Sequence, residues 1–292
     1  MAPTMVLDKA LDLLQRPGLT GRVRTRGWSW DADGAGQDWQ IHDTAPAGRA
    51  GLMALPTVDG QWAVPTSFAT TPPRRPLTGT GLQDVMRRAY TFRDQGGTDL
   101  RWNGQRPGPG LSIAPVHSSQ DKPYPVSCSH FIGMVTAGWE YASTTYIADA
   151  NTRTGWYVPY GQPIGPGQKL IIWQAWLSAR FFFTAGDMWA TDGTDIARGD
   201  LLYFCQHDPE TTWERAKRGE LTAYFANVYH TALYVGDATV LQSATPTSPT
   251  GVYEAPLTGD LASSLALAAR PRWAPPQDTA LSIWLDDHET PI

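Results

Sequence analysis

The sequence predicts an α+β protein in which an antiparallel β-sheet packs on helices, preceded by a small mixed α/β unit. Three observations carry that expectation. Apolar residues recur at helical spacing in residues 5–16, 80–95 and 128–141, and short β-rich runs dominate beyond Gly199. The prolines of Thr70-Thr-Pro-Pro-Arg-Arg-Pro76 form an extended spacer between an N-terminal unit and the rest. The expected organisation is residues 1–75 as a possible attachment module, residues 76–275 as the main domain, and a tail from 276 to 292.

Residues 5–16 carry apolar side chains at i, i+3 and i+4 and stop at Pro17-Gly18, which predicts a short amphipathic helix. Arg22–Trp30, Gln37–His42 and Gln61–Ser67 alternate or carry aromatics between Gly/Asp turns and predict strands. Arg22, Arg24 and Arg26, at alternate positions, read as the solvated face of the first of these. The loop Asp31–Gly36 resembles a calcium loop only in part. Ala35 and His42 stand at its fifth and twelfth positions, so it is a turn. After the spacer, Leu82, Val85, Met86, Ala89 and Tyr90 form one helical stripe, with Thr80 as cap and Gly96-Gly97 as stop. A second helix runs from Cys128 to about Tyr141, and strands are expected at Asp200–Cys205, Tyr224–Val235, Val240–Ala244 and Leu265–Arg272.

Composition narrows the function classes. The 292 residues suffice for a sizeable core, and 41% hydrophobic with 17% charged residues describes an ordered globular chain. A net charge of −5 gives no reason to expect nucleic acid as a partner. Two cysteines do not make a disulfide framework, although one bridge can form. The N-terminus lacks a basic region followed by a long apolar core, and no run approaches a membrane span, which predicts no export signal and no membrane contact. The most apolar stretch, Leu170–Phe183, includes Gln174, Ser178 and Arg180 and is buried core. Thirteen tryptophans favour core as well. His42, His117, His207 and His288 have no ligand-like spacing, so neither metal nor cofactor is expected.

Cys128 lies where the extended segment Tyr124-Pro-Val-Ser127 gives way to helical spacing. The partial positive charge of N–H groups at a helix start lowers a thiol pKa from about 8.5 toward neutrality. About a hundred residues on, His230 opens the strand-and-turn pattern His-Thr-Ala-Leu-Tyr-Val-Gly-Asp, and an imidazole is the base such a thiolate needs. The pair points to a cysteine hydrolase. The third group depends on hairpin length. A three-residue loop, Gly236-Asp237-Ala238, sets Gln242 opposite Ala232 on the face of His230, whereas a two-residue loop sets Ser243 there.

Over residues 80–272 the chain resembles the NlpC-type, papain-like cysteine peptidases that act on bacterial cell-wall peptides. Gly97-Thr98-Asp99-Leu100-Arg101-Trp102-Asn103-Gly104 matches the family's Gly-Thr-Pro-Tyr-x-Trp-Gly-Gly turn at four of seven fixed positions. Ser127-Cys128-Ser129-His130-Phe131-Ile132 is similar to Asp-Cys-Ser-Gly-[Phe/Leu]-Val, and Arg198-Gly-Asp-Leu-Leu-Tyr-Phe204 to Pro-Gly-Asp-Leu-Val-Phe-Phe. His230-Thr-Ala-Leu-Tyr-Val-Gly236, with Gln242 twelve positions after the histidine, matches the last block. The resemblance implies a papain-like fold and a Cys128–His230–Gln242 triad. It also implies a peptidoglycan endopeptidase cutting next to D-glutamyl or diaminopimelyl residues, with an N-acetylmuramoyl-L-alanine amidase as a close variant.

Departures from the pattern shape the site. Leu100 stands at the position of the family tyrosine that polarises the substrate carbonyl and cannot donate a hydrogen bond, so the Cys128 N–H and another donor must complete the oxyanion site. Ser129, Tyr124, His130 and Trp102 are the oxyanion or pocket candidates. The Gly/Pro-rich gap between Trp102 and Cys128 reads as a surface loop that shapes the cleft. Each block also has a structural reading: Cys128, Phe131, Ile132, Val135 and Trp139 form a helical core stripe, His230 is an interior histidine, Cys205 is packing, and Asp200 is a strand-end cap. On that reading the chain is a noncatalytic peptidase-like component of a phage tail or wall machine. Either way, the lack of an export signal and of wall-binding repeats suits a phage lysin or tail-tip component delivered by other machinery, with residues 1–75 as a contact to tail proteins.

Overall fold

The computed structural model describes residues 4–28, 34–74, 80–103, 122–137, 139–141, 145–146, 174–206, 224–245 and 247–271. The Gly/Pro-rich gap at 104–121, the start of the Asp31–Gly36 loop, His117, His207, His288 and the tail from 276 lie outside these residues. In chain order the elements are β1 (Met5–Leu7), α1 (Ala10–Gln15), β2 (Arg22–Thr25), β3 (Gln37–His42), α2 (Gly48–Met53), β4 (Leu55–Pro56) and β5 (Trp62–Pro65). There follow α3 (Thr80–Asp94), β6 (Leu100–Trp102), β7 (Tyr124–Val126), α4 (Cys128–Ala137), β8 (Trp139–Glu140), β9 (Thr145–Tyr146), α5 (Ala175–Thr184) and β10 (Met188–Ala190). The last are β11 (Leu201–Cys205), β12 (Val228–Gly236), β13 (Thr239–Gln242), β14 (Tyr253–Pro256), α6 (Gly259–Ser264) and β15 (Leu265–Ala269).

The architecture is α+β. A five-stranded sheet, β1-β2-β3-β5-β4, comes from the N-terminal unit, and an antiparallel six-stranded sheet, β10-β15-β11-β12-β13-β14, from the C-terminal half. The short pair β6-β7 is parallel and leads into α4. Along β11 and β12 alternate side chains part to two faces. Leu201, Tyr203 and Leu233 join the large core beneath the helices; Leu202, Phe204 and Ala232 join a smaller cluster with Trp189 and Val240. Among the described residues no helix is long and apolar enough to cross a membrane.

The helix expected over residues 5–16 is shorter than the pattern suggested. Met5–Leu7 is extended and pairs in parallel with Val23–Thr25, and α1 begins only at Ala10. The Asp12 carboxylate accepts the N–H groups of Asp8 and Lys9 at 3.2 and 3.1 Å, which sets the helix start there. The loop after β12 takes the two-residue form of the two alternatives, yet Gln242 still falls on the face of His230. Asp237 and Ala238 both take φ of 50°, a two-residue type I′ turn, and Gly236 pairs with Thr239. A bulge at Val235 restores the frame, since Leu233 pairs with Leu241, and that register continues to Gln242 opposite Ala232.

The N-terminal unit and the C-terminal sheet share one core. Trp28 stacks edge-on to Phe225 at 4.8 Å between ring centroids, and Phe68 meets the same ring at 5.8 Å. Asn227, just before β12, donates from Nδ2 to the carbonyls of Leu52 and Ala54 at 2.9 and 2.8 Å. Of the described tryptophans, Trp28, Trp39, Trp176 and Trp189 are buried, as the composition favoured, while Trp62 and Trp102 are half-buried.

A buried ion pair ties the start of β11 to the end of the neighbouring β15 in the second sheet. Asp200, at the start of β11, accepts Nε and Nη2 of Arg270 at 2.9 and 2.8 Å and the Ala197 N–H at 2.7 Å. Removing the guanidinium strands a carboxylate with no solvent exposure. Arg270→Ala is therefore expected to lower stability by about 3–5 kcal/mol in urea unfolding; a loss under about 1 kcal/mol would contradict this account.

Candidate active site

Ser127 starts the helix that carries the cysteine. Its Oγ accepts the His130 N–H at 3.3 Å, and its carbonyl accepts the Phe131 N–H at 3.0 Å, the bonding of an N-cap residue. Serine thus caps the helix without adding a charge next to the thiol. At the other end of α4, Arg88 of α3 donates to the Val135 carbonyl at 2.8 Å from a fully buried position, and Phe92 packs edge-on to Phe131 at 5.9 Å. A cation at the C-terminus and a capped N-terminus both suit the helix dipole and hold Cys128 in the first turn.

The sheet supplies the partners. β13 turns away after Gln242, where Ser243 Oγ donates to the Val126 carbonyl at 3.0 Å. On that side of β12 it is the Cys128 sulfur that receives the Thr231 N–H, and the Ser129 N–H also points at it. The His230 ring, 7% exposed, hydrogen-bonds the sulfur and places Nε2 2.7 Å from Gln242 Oε1. With Nε2–H donating to Oε1, Nδ1 is left to face the thiol. Gln242 is itself buried, and its Nε2 lies 3.5 Å from the Tyr253 hydroxyl. The structure brings Cys128, His230 and Gln242 into one chain of contacts; Ser243 serves β7 instead.

Electrostatics favour the charged pair. Burial alone would push the Cys128 thiol up, but the adjacent His230 charge, its ring hydrogen bond and the two N–H groups hold it below the ordinary thiol range. Burial would likewise lower the imidazole, and the thiolate together with the Gln242 carbonyl raises it above its ordinary value. Cys205, buried on β11 without such partners, has its thiol pushed far up by burial.

The other residues singled out from the sequence are placed as follows. Leu100 is fully buried against Gly96 and Gly251 and offers no donor. Tyr124 is buried opposite Leu100 in the β6-β7 pair, with the Lys122 ammonium 5.9 Å from its ring. Trp102 ends β6 half-buried opposite Val126, and His130 is buried on α4. Among the described residues no three His, Cys, Asp or Glu side chains form a metal-binding group. Three contributors escaped the sequence reading: the Thr231 N–H, Tyr253, and Tyr229. Tyr229 is the unpaired residue of a bulge between the His230–Phe204 and Val228–Cys205 pairs. That bulge leaves its ring 43% exposed and 6.1 Å from the imidazole, with its hydroxyl donating to Ser264 at 3.3 Å.

No protein-family model matches the chain, and no curated protein matches it. Among solved structures it is similar to an NlpC/P60 family protein from Bacillus cereus ATCC 10987, at 15% identity, covering 84% of this chain and 55% of that one, with a TM-score of 0.28. It is also similar to NlpC1 from Trichomonas vaginalis, at 13% identity, covering 81% and 59%, with a TM-score of 0.25. The chain spans little more than half the length of either. At these TM-scores the likeness carries no argument; the geometry of the three side chains does.

Iodoacetamide at pH 7 should label Cys128 at least about tenfold faster than Cys205. Because the thiol is lowered and the imidazole raised, the reactive pair exists between those two values: labelling falls on the acid side as the thiolate takes a proton. His230→Ala should move the labelling midpoint upward, and an unmoved midpoint would show that the imidazole does not activate the sulfur.

Proposed function

We propose that this protein is a cysteine hydrolase acting on amide bonds of bacterial peptidoglycan stem peptides, with γ-D-glutamyl or diaminopimelyl linkages as the bonds cut. The observation that carries the hydrolase reading is the unbroken contact chain from Cys128 sulfur through the His230 ring to the Gln242 carbonyl. The wall substrate rests on the sequence blocks around those residues. In the first half-reaction the Cys128 thiolate attacks the amide carbonyl carbon, and the His230 imidazolium gives its Nδ1 proton to the departing amine, leaving a thioester. In the second, water adds to the thioester while His230 takes its proton, and the acid product leaves with the thiol restored.

Charge develops on the carbonyl oxygen in both steps. The Cys128 N–H, in the first helical turn with no intrahelical acceptor, supplies one donor. Trp102 and Tyr124, on the strand pair leading to the cysteine, and His130 on α4 are the proposed sources of a second in place of Leu100. Tyr229 offers an exposed aromatic wall beside the imidazole for the substrate to lie on.

Mass spectrometry of purified muropeptides after digestion tests the whole reading. Wild type should generate new termini at a stem-peptide amide, Cys128→Ala should generate none, and Gln242→Ala should slow turnover by about 10²-fold or more. Intact muropeptides that nevertheless bind equally to wild type and Cys128→Ala would identify a wall-binding module instead. Tyr229→Ala should raise KM about fivefold with kcat unchanged, the effect of losing roughly 1 kcal/mol of aromatic contact; an unaltered KM would remove Tyr229 from the groove.

A further inference from the structure

We propose that Tyr253 is a positioning residue of this site: its hydroxyl accepts the Gln242 Nε2–H and so holds the Gln242 carbonyl on His230, extending the contact chain to four residues. The catalytic consequence rests on the hydrolase reading, whereas the positioning itself can be measured without substrate.

Tyr253 stands directly opposite Gln242 in the β13–β14 register, with its oxygen 3.5 Å from Gln242 Nε2. A glutamine amide has nearly the same shape in either orientation, but only one is useful here. With Oε1 on His230 Nε2–H, the imidazole keeps Nδ1 for the sulfur. With the amide reversed, its NH2 group would face that N–H donor to donor, and the ring could adapt only by carrying its proton on Nδ1, against the thiol. An amide fixed at one end swings about its last torsion; fixed at both ends, it does not. The phenol is half-buried, so its own hydrogen can point to solvent while the oxygen accepts.

The strand beneath this phenol is anchored as well. β14 is the outer strand of its sheet, and its Glu254 takes Arg93 of α3 at 2.7 Å. The same helix, through Arg88, holds α4. α3 therefore braces both ends of the four-residue chain, the thiol through α4 and the phenol through β14.

The test is Tyr253→Phe, which keeps the ring and removes only the acceptor. Titrating His230 by NMR and Cys128 by pH-dependent alkylation should show the imidazole pKa falling and the thiol midpoint rising. The alkylation rate near pH 6.5 should drop about 3- to 10-fold, the size of one neutral hydrogen bond. In a Gln242→Ala background the same substitution should change neither profile. Unmoved profiles in the single variant, or an equal change with and without Gln242, would overturn the proposal. If the wild type cleaves muropeptides, Tyr253→Phe should lower kcat and leave KM, and a change in KM alone would also overturn it. If it cleaves none, the hydrolase reading fails while the two titrations still decide the place of Tyr253.

Discussion

The sulfur of Cys128 is held where several sources of positive potential converge: the capped N-terminus of α4, the Ser129 and Thr231 N–H groups, and the His230 ring. Most of the surrounding structure serves that meeting. The helix must be aimed by α3, the ring must be fixed by Gln242, and β13 must end early enough for a side chain to take an N–H of β12. Burial works against both charges, and the attraction between them together with the hydrogen bonds each receives outweighs it.

The N-terminal unit takes part in this support from a distance. Its backbone carbonyls at Leu52 and Ala54 receive Asn227, and its Trp28 and Phe68 pack on Phe225, so the segment entering β12 is clamped three to five residues before His230. The left-handed conformation of Ala226 and Asn227, with φ of 49° and 58°, is held by those contacts. Strain of that kind persists only where neighbours over-determine it. Residues 4–74 thus reach the candidate site by steering a strand, whatever else they bind.

Much of the site is legible in the sequence because its chemistry sits on regular elements. Cys128 at a helix start is visible from the change of period at Ser127, and His230 from the alternation that follows it. Gln242 follows from counting strand pairs, although the count succeeds for a reason the sequence hides: a two-residue turn and a bulge at Val235 together equal the longer loop. Tyr229 and Tyr253 are illegible for a related reason. One is aimed by another bulge, and the other pairs across a strand with no local signal of its partner. Met5–Leu7 shows the converse, a helical pattern overridden by pairing with β2.

The hairpin of β12 and β13 couples chain length to chemistry. Drawing Val235 into the ladder while keeping the Asp237-Ala238 turn would shift β13 by one position, setting Ser243 in place of Gln242 opposite Ala232. Changes at this exposed tip are ordinarily the most tolerated, but one that removes the bulge at constant chain length would here rewrite the identity of a buried partner. The spacing between His230 and Gln242 thus works only together with the bulge that takes up Val235.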